Sequence, residues 1–550
     1  MSSWFIPLPR SVTRPISILV LIAWAGVMAS VINRSYLQAS ANLATDLARY
    51  GSTAQWRGVY YRGEKLGFSV SQTVPINNDD PAKAGFELQE DAELQMALLG
   101  ATTPAKIRTT ARVNRAFELQ AFDFSLDPGT GPIKVSGTVD GRTLVISVTS
   151  AGSTRTETRE LAEPPMLSLN LARRLAGAGL VAGNRYQWSV FDPATLRNAP
   201  IAVRVGSREL IRAANMPIPA FRVDMEFVGL RTTSWVTDTG EVVREESPMG
   251  IISVRETPER ARALAVPGQM RQDLMQASAV VPIMAPHTPR LPPLVEPRDV
   301  RRLRLRVEGA DLSSPDLQGT GQTITGDIVE IQDVQHAASA RGDRDLARYL
   351  APELFIESDA PEIRAEADKA VRGINGTRAR AEALTRYVNA IIQKKPTVSL
   401  PSAREVLRTK IGDCNEHTAL FVAMSRAIGI PARIAVGLAF VHGAFYYHAW
   451  PEVYIDEGGN RGLWLPVDPT FNQFPADSTH LRLARGGLDK QAAIIPSIGR
   501  VKITVLDLEL APDATPILVG HATQTAAEIY LPPQPPQARW CLPCFLGGHK

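Results

Sequence analysis

Cysteine is scarce. The 550-residue chain has three, and two of them, Cys541 and Cys544, form a C-x-x-C near the end. A thioredoxin-type redox pair needs a strand before that motif and a helix after it, and a zinc site needs a fourth ligand beyond Cys541, Cys544 and His549. Neither is visible, so the pair reads as a local disulfide or a passive tail. Excess charge is also lacking: 60 Lys+Arg are scattered among 56 Asp+Glu, for a net charge of +4. No basic run is interleaved with aromatics, so nothing points to nucleic acid. The densest basic stretch, Arg298 to Arg306, alternates with apolar residues and reads as a strand with a solvated face. No internal repeat is present, no metal-ligand spacing suggests a cofactor, and only one apolar run approaches the length that spans a bilayer.

That run is Pro15 to Ile32, uncharged and preceded by Arg10 and Arg14. The basic flank keeps residues 1–14 in the cytoplasm and exports the rest of the chain. Val27-Met28-Ala29 is an acceptable signal-peptidase site, but the run is long for a signal h-region, which favours a retained single-pass anchor over 15–32. Either way the bulk of the chain is expected to be extracytoplasmic (periplasmic).

The length has room for three or four domains. From 56 to 256 strand and turn signals recur, with hairpins at Val59 to Phe68, at Val135 to Val148 about Asp140-Gly141, and at Ser234 to Val243, and with a helical insert near Leu167 to Ala178. No acid pair or metal-ligand spacing in this β-rich domain carries chemistry, so it reads as packing, substrate-holding or purely structural. Residues 257–297 hold a helical segment near Pro258 to Ala279 and then prolines at 282, 286, 289, 292 and 293, a semi-rigid linker. Strands follow over 298–340. Helices at about 360 to 372 and 377 to 394 open the domain at 345–510, the second with Leu384, Val388, Ile391 and Ile392 on one face, and 511–550 is a tail.

The remaining cysteine, Cys414, stands in Gly412-Asp413-Cys414-Asn415-Glu416-His417, directly before the apolar stretch Ala419 to Ile428 that Gly429 and Pro431 terminate. It therefore falls in the first turn of a helix, where outward N–H groups and the macrodipole favour a thiolate. Tyr446 to Ile455 reads as a strand carrying His448, and Leu463 to Thr470 as a second strand ending in Asp468. The turn Asp456 to Asn460 between them can bring the two side chains together. His417, one turn after Cys414, could tune the thiol, although a structural or solvent-facing role is commoner for such a residue; His442 reads the same way. Trp450 and Trp464 read as core around the site.

These residues resemble the transglutaminase-like superfamily of papain-type Cys-His-Asp enzymes. The resemblance spans roughly 350 to 485 and lies in G-D-C at 412–414, R-A-I-G-I-P-A-R at 426–433, H-A-W at 448–450 and D-P-T at 468–470. The pieces stand in the family's order, 34 residues from Cys to His and 20 from His to Asp. It implies an α+β, papain-like core with Cys414 as nucleophile, His448 as general base and acid, and Asp468 orienting the imidazole. An adjacent imidazolium and the helix N-terminus are expected to lower the thiol pKa by several units. The backbone N–H of Cys414 is the first oxyanion donor; the second is not legible. The expected partner is a protein or peptide. Water as acceptor gives a protease or amidase, a primary amine gives a transglutaminase, and a scaffold holding a peptide beside an idle thiol is a third reading. Analogy with similar bacterial proteins favours hydrolysis.

A reporter active only outside the cytoplasm, fused after Tyr50, should give signal, and one active only inside should be silent. The reverse pattern would invert the topology derived from Arg10 and Arg14.

Overall fold

The computed structural model describes residues 54–512 apart from the stretches 264–275, 283–295, 487–493 and shorter loop segments. The 15–32 run, the Pro-rich linker, His442 and the C-x-x-C lie outside these residues. Among the described residues no helix is long and apolar enough to cross a membrane.

Residues 55–255 form one 15-stranded sheet. The chain starts at its middle, steps outward strand by strand to Ser153–Glu160, crosses through residues 161–164 to the opposite edge strand Pro165–Met166, and after the helix Ser168–Ala178 steps back until Ile251–Arg255 pairs with Gln55–Tyr61. Neighbours are antiparallel, except that Pro165–Met166 runs parallel to Ser189–Val190. The expected hairpins are present: Glu64 pairs with Tyr61, Thr143 with Asp140 and Val242 with Val236. Alternation sets the faces. In Thr143–Ser150 every second residue is buried, and Leu144, Ile146 and Val148 pack with Phe122, Phe124 and Val135. The outermost strand, Ser153–Glu160, has no buried residue, which leaves a polar edge that resists pairing with other chains.

The helical reading of 258–279 is corrected at its end. Thr257 caps a short helix, Pro258–Arg262, but Gln276–Ala279 is a strand paired with Ala444–Tyr446. Pairing with an available sheet edge overrides a weak helical pattern. Further on, helix Cys414–Ala427 is the centre of a layered domain. Helices Pro361–Ala370, Thr377–Ile391 and Ala403–Thr409 cover one side, and a sheet in the order Ala340–Arg341, Arg461–Pro466, Ala444–Gly458, Ala432–Val441, Leu481–Arg485 covers the other. A second sheet, built from Val300–Glu308, Gln322–Thr325, Ile328–Gln332 and Lys502–Leu510, packs on that first sheet through Leu303, Leu305 and Val329 against Leu438, Phe445 and Leu481. The arginine-rich stretch is the strand Val300–Glu308. Its Leu303, Leu305 and Val307 point inward while Arg302 reaches Asp507 at 2.6 Å.

The β-rich sheet and this domain touch. Phe355 is buried in the core of the β-rich sheet, Arg155 pairs with Asp359, and Thr103 Oγ1 donates to the Pro396 carbonyl at 3.3 Å.

One charged cluster fixes the strand register. Glu452 is fully buried and accepts from Arg433 Nε at 2.7 Å, Arg482 Nη1 at 2.7 Å and Arg485 Nε at 2.9 Å. Burial alone would raise its carboxyl; Arg485, Arg482 and Arg433 outweigh that and hold it well below the usual carboxylate range. Arg433 also lies over the Trp464 ring, 3.9 Å from its centre.

Gly437 sits opposite His448 in the register of the sheet, and a Cβ there would lie 1.9 Å from the Leu481 carbonyl oxygen on the other neighbouring strand. Gly437→Ala should therefore cost about 1–3 kcal/mol in denaturant unfolding; an unchanged midpoint would mean that the two strands do not approach this closely.

Candidate active site

Helix Cys414–Ala427 begins at a capping box. Asp413 accepts from the Asn415 N–H at 3.1 Å, and Glu416 reaches back to the Asp413 N–H at 2.8 Å. It ends in a Schellman turn, with Ile430 N–H on the Ser425 carbonyl at 2.9 Å and Gly429 N–H on the Arg426 carbonyl at 3.0 Å, which needs the positive φ of Gly429. Cys414 is thus the first helical residue. Thr418 Oγ1 donates to the Ala449 carbonyl at 3.1 Å, and the Ala449 N–H donates to the Cys414 thiol, so the first turn is fastened to the strand at the residue after His448.

His448 and Asp468 meet as their spacing implied. His448 Nε2 lies 2.7 Å from Asp468 Oδ2, which leaves Nδ1 as the ring's other nitrogen. The ring is stacked against Phe471, with centroids 4.7 Å apart, and lies near-parallel to Trp450 at 6.1 Å. Asp468 stands just beyond strand Arg461–Pro466, at the neck of a loop closed by Asp468 N–H on the Gln473 carbonyl at 2.9 Å and the reciprocal bond at 2.8 Å. Its Oδ1 accepts the Thr470 N–H at 2.7 Å and the Phe471 N–H at 3.1 Å. Asn389 Nδ2 ties the loop down from the helix side, 2.7 Å from the Pro469 carbonyl.

Two residues of the site carried no signal in the sequence. His480 Nε2 is 3.1 Å from the same Asp468 Oδ2, and its Nδ1 is 3.1 Å from Asp477 Oδ1. Only the i, i+3 placement of an Asp and a His after D-P-T could have hinted at them, and that spacing is common in loops. Burial opposes a charge on His480, but Asp477 and then Asp468 outweigh it and push its pKa up to about 10. Burial would likewise raise Asp468; His448 first, then His480, hold it far below the usual carboxylate range. The ligand atoms of His448, Asp468 and His480 lie within 4.8 Å of one another, so these are the residues that could hold a metal ion. Here the carboxylate joins the two rings by hydrogen bonds instead.

The thiol departs from the sequence expectation. Cys414 is 2% exposed, and burial, then the Asp413 carboxylate, push its pKa well above that of an ordinary thiol; the Ala449 N–H only partly opposes them. The helix dipole was legible in the sequence, but burial and the negative charge of the capping box outweigh it. His417 is buried as well. Its Nδ1 is 2.6 Å from the Asp413 carbonyl, and burial lowers its pKa to about 4, so it is neutral and cannot supply the cation that would stabilise a thiolate.

The profile of the transglutaminase-like superfamily matches residues 364–469. Those residues form a transglutaminase-like domain. No curated protein matches the chain. Among solved structures the chain is similar to a candidate cysteine protease from Cytophaga hutchinsonii, at 15% identity over 41% of this chain and 89% of that one, with a TM-score of 0.25. It is also similar to a beta-barrel-like protein of unknown function from Brucella abortus, at 12% identity over 37% and 95%, with a TM-score of 0.27. A candidate protease from Parabacteroides distasonis shares 10% identity over 67% of each chain, with a TM-score of 0.20.

Iodoacetamide alkylation of Cys414, followed by mass spectrometry of its peptide, should reach half its maximal rate above the ordinary thiol value of about 8.5. Asp413→Asn keeps the cap acceptor and removes a negative charge, so it should move that midpoint down. A midpoint unmoved in the variant would remove Asp413 as a cause.

Proposed function

We propose that the transglutaminase-like domain is a thiol enzyme that breaks amide bonds of a protein or peptide through a thioester at Cys414. The observation that carries this reading is the hydrogen bond between His448 Nε2 and Asp468 Oδ2, placed on the strand that the Cys414 turn is fastened to. In this reading Asp468 fixes the imidazole tautomer with Nδ1 free to accept a proton. Because the resting thiol is neutral, His448 takes its proton as the sulfur attacks the carbonyl carbon. The S–C bond forms, the C–N bond breaks, and the imidazolium protonates the leaving amine. His448 then takes a proton from water, the resulting hydroxide adds to the acyl carbon, the C–S bond breaks, and the imidazolium returns the proton to sulfur. Backbone N–H groups at the helix start, that of Cys414 first, receive the negative charge on the carbonyl oxygen.

Burial of the thiol supports water over a primary amine as acceptor, since water needs no channel of its own to reach the acyl carbon. The export signal in 1–32 supports action outside the cytoplasm on a membrane-anchored chain.

The test is a peptide library incubated with the protein, with and without a primary amine, and read by mass spectrometry. Cleaved products are expected in both; amine-bearing products in their place would make the enzyme a transglutaminase. Cys414→Ala should abolish turnover with the fold intact, and Asp468→Asn should lower it by about 10⁴-fold through the wrong tautomer. Wild-type activity in Cys414→Ala would sink the mechanism, and a wild-type protein with neither product would leave the idle scaffold.

A further inference from the structure

We propose that His480, bridged between Asp477 and Asp468, is a positioning residue that aims Asp468 Oδ2 at His448 while keeping the Asp468–His480–Asp477 set at a single negative charge. The inference rests on the reading of Cys414, His448 and Asp468 as the reacting set.

The geometry carries it. Both ring nitrogens of His480 face carboxylate or carbonyl oxygens: Nε2 faces Asp468 Oδ2 at 3.1 Å, and Nδ1 faces Asp477 Oδ1 at 3.1 Å and the Asp477 carbonyl at 3.2 Å. Acceptors on both sides require a proton on each nitrogen, so the ring is a cation. Its pKa near 10 agrees. Asp477 is fixed in turn, accepting from Gln473 Nε2 at 2.6 Å and from the Thr479 N–H at 2.9 Å. Trp450 meets the His480 ring edge-on, with centroids 5.1 Å apart. A cation and an anion have therefore been added behind Asp468 as a neutral pair. Asp468 gains a second ring that holds Oδ2 in place, and the Asp468–His480–Asp477 set still carries the charge of one carboxylate.

Other charged groups bear on the set from each side. Lys394 and His417 interact electrostatically across the Cys414 side, and the Asp413 and Glu416 carboxylates flank the thiol. Behind Asp477 a cavity of about 180 Å³ is lined by Arg298, Arg301, Arg386 and Asp333. None of these replaces the His480 contact, because no other side chain is hydrogen-bonded to Asp468 Oδ2 among the described residues besides His448.

The sign follows. His480→Gln removes the cation and leaves Asp477 and Asp468 as two buried negative charges; this raises the proton affinity of the site and disfavours the thiolate. The alkylation midpoint of Cys414 with iodoacetamide should move up by about one pH unit or more. Asp477→Asn added to His480→Gln restores one negative charge, and the midpoint should return toward the wild-type value. A purely structural histidine would alter stability in both variants without this reversal. Selective ¹⁵N labelling of histidine in the unmodified protein should show both ring nitrogens of His480 protonated through pH 8, whatever the folding of the variants. A neutral His480 tautomer, or a midpoint unmoved in folded His480→Gln, would overturn the inference. A wild-type Cys414 that iodoacetamide does not label would instead sink the reading of the site on which the inference rests.

Discussion

The carboxylate of Asp468 has no exposed surface, and an ion in that position costs several kcal/mol unless each of its lone pairs finds a donor. Four donors are supplied: two N–H groups of its own loop, His448 from the sheet, and His480 from the segment beyond. These donors come from three separate stretches of chain. Solvating one ion therefore fixes the loop 468–473, the face of strand Ala444–Gly458 and the approach to Leu481–Arg485 together. Asn389 and Arg298 extend the same constraint outward, each donating to a carbonyl of that loop, at 2.7 Å on Pro469 and 3.0 Å on Phe471.

Glu452 works in the same way further along the strand that carries His448. Three guanidinium groups surround it, two of them on the Leu481–Arg485 strand, so a slip of that strand by one residue would strand a buried carboxylate without its cations. The strand that carries His448 is therefore held in register by charge at one end and by main-chain pairing with Gln276–Ala279 at the other. That second contact belongs to the chain between the two domains, which makes the interdomain segment part of the sheet as well as a connection.

What the sequence made legible is chemistry confined to short stretches. G-D-C before an apolar helix, a His on a strand and an Asp at a strand end each declare themselves within a few residues, and the helix stop at Gly429 follows from backbone conformation alone. What it hid depends on distant packing. His480 matters only because the loop after Asp468 folds back, and nothing in Asp477-Ser478-Thr479-His480 indicates where its ring will point. The thiol's proton affinity departs from the sequence expectation for a related reason: a helix N-terminus is visible in the sequence, whereas burial and the nearby carboxylate of Asp413 are properties of the assembled core. The strand Gln276–Ala279 reads as helix in the sequence because the sheet edge that captures it, Ala444–Tyr446, is far along the chain.

The burial of Cys414 sets the kinetics of anything that reaches it. With the sulfur-bearing residue 2% exposed and His448 5% exposed, the chain around the sulfur has to move aside before a carbonyl can meet it. An observed affinity is then the intrinsic one weakened by the fraction of molecules that are open. If the proposed chemistry operates at Cys414, a segment that favours the opened form would raise turnover without touching the reacting atoms, which would make the free energy of opening a second determinant of rate, separate from the chemistry at sulfur.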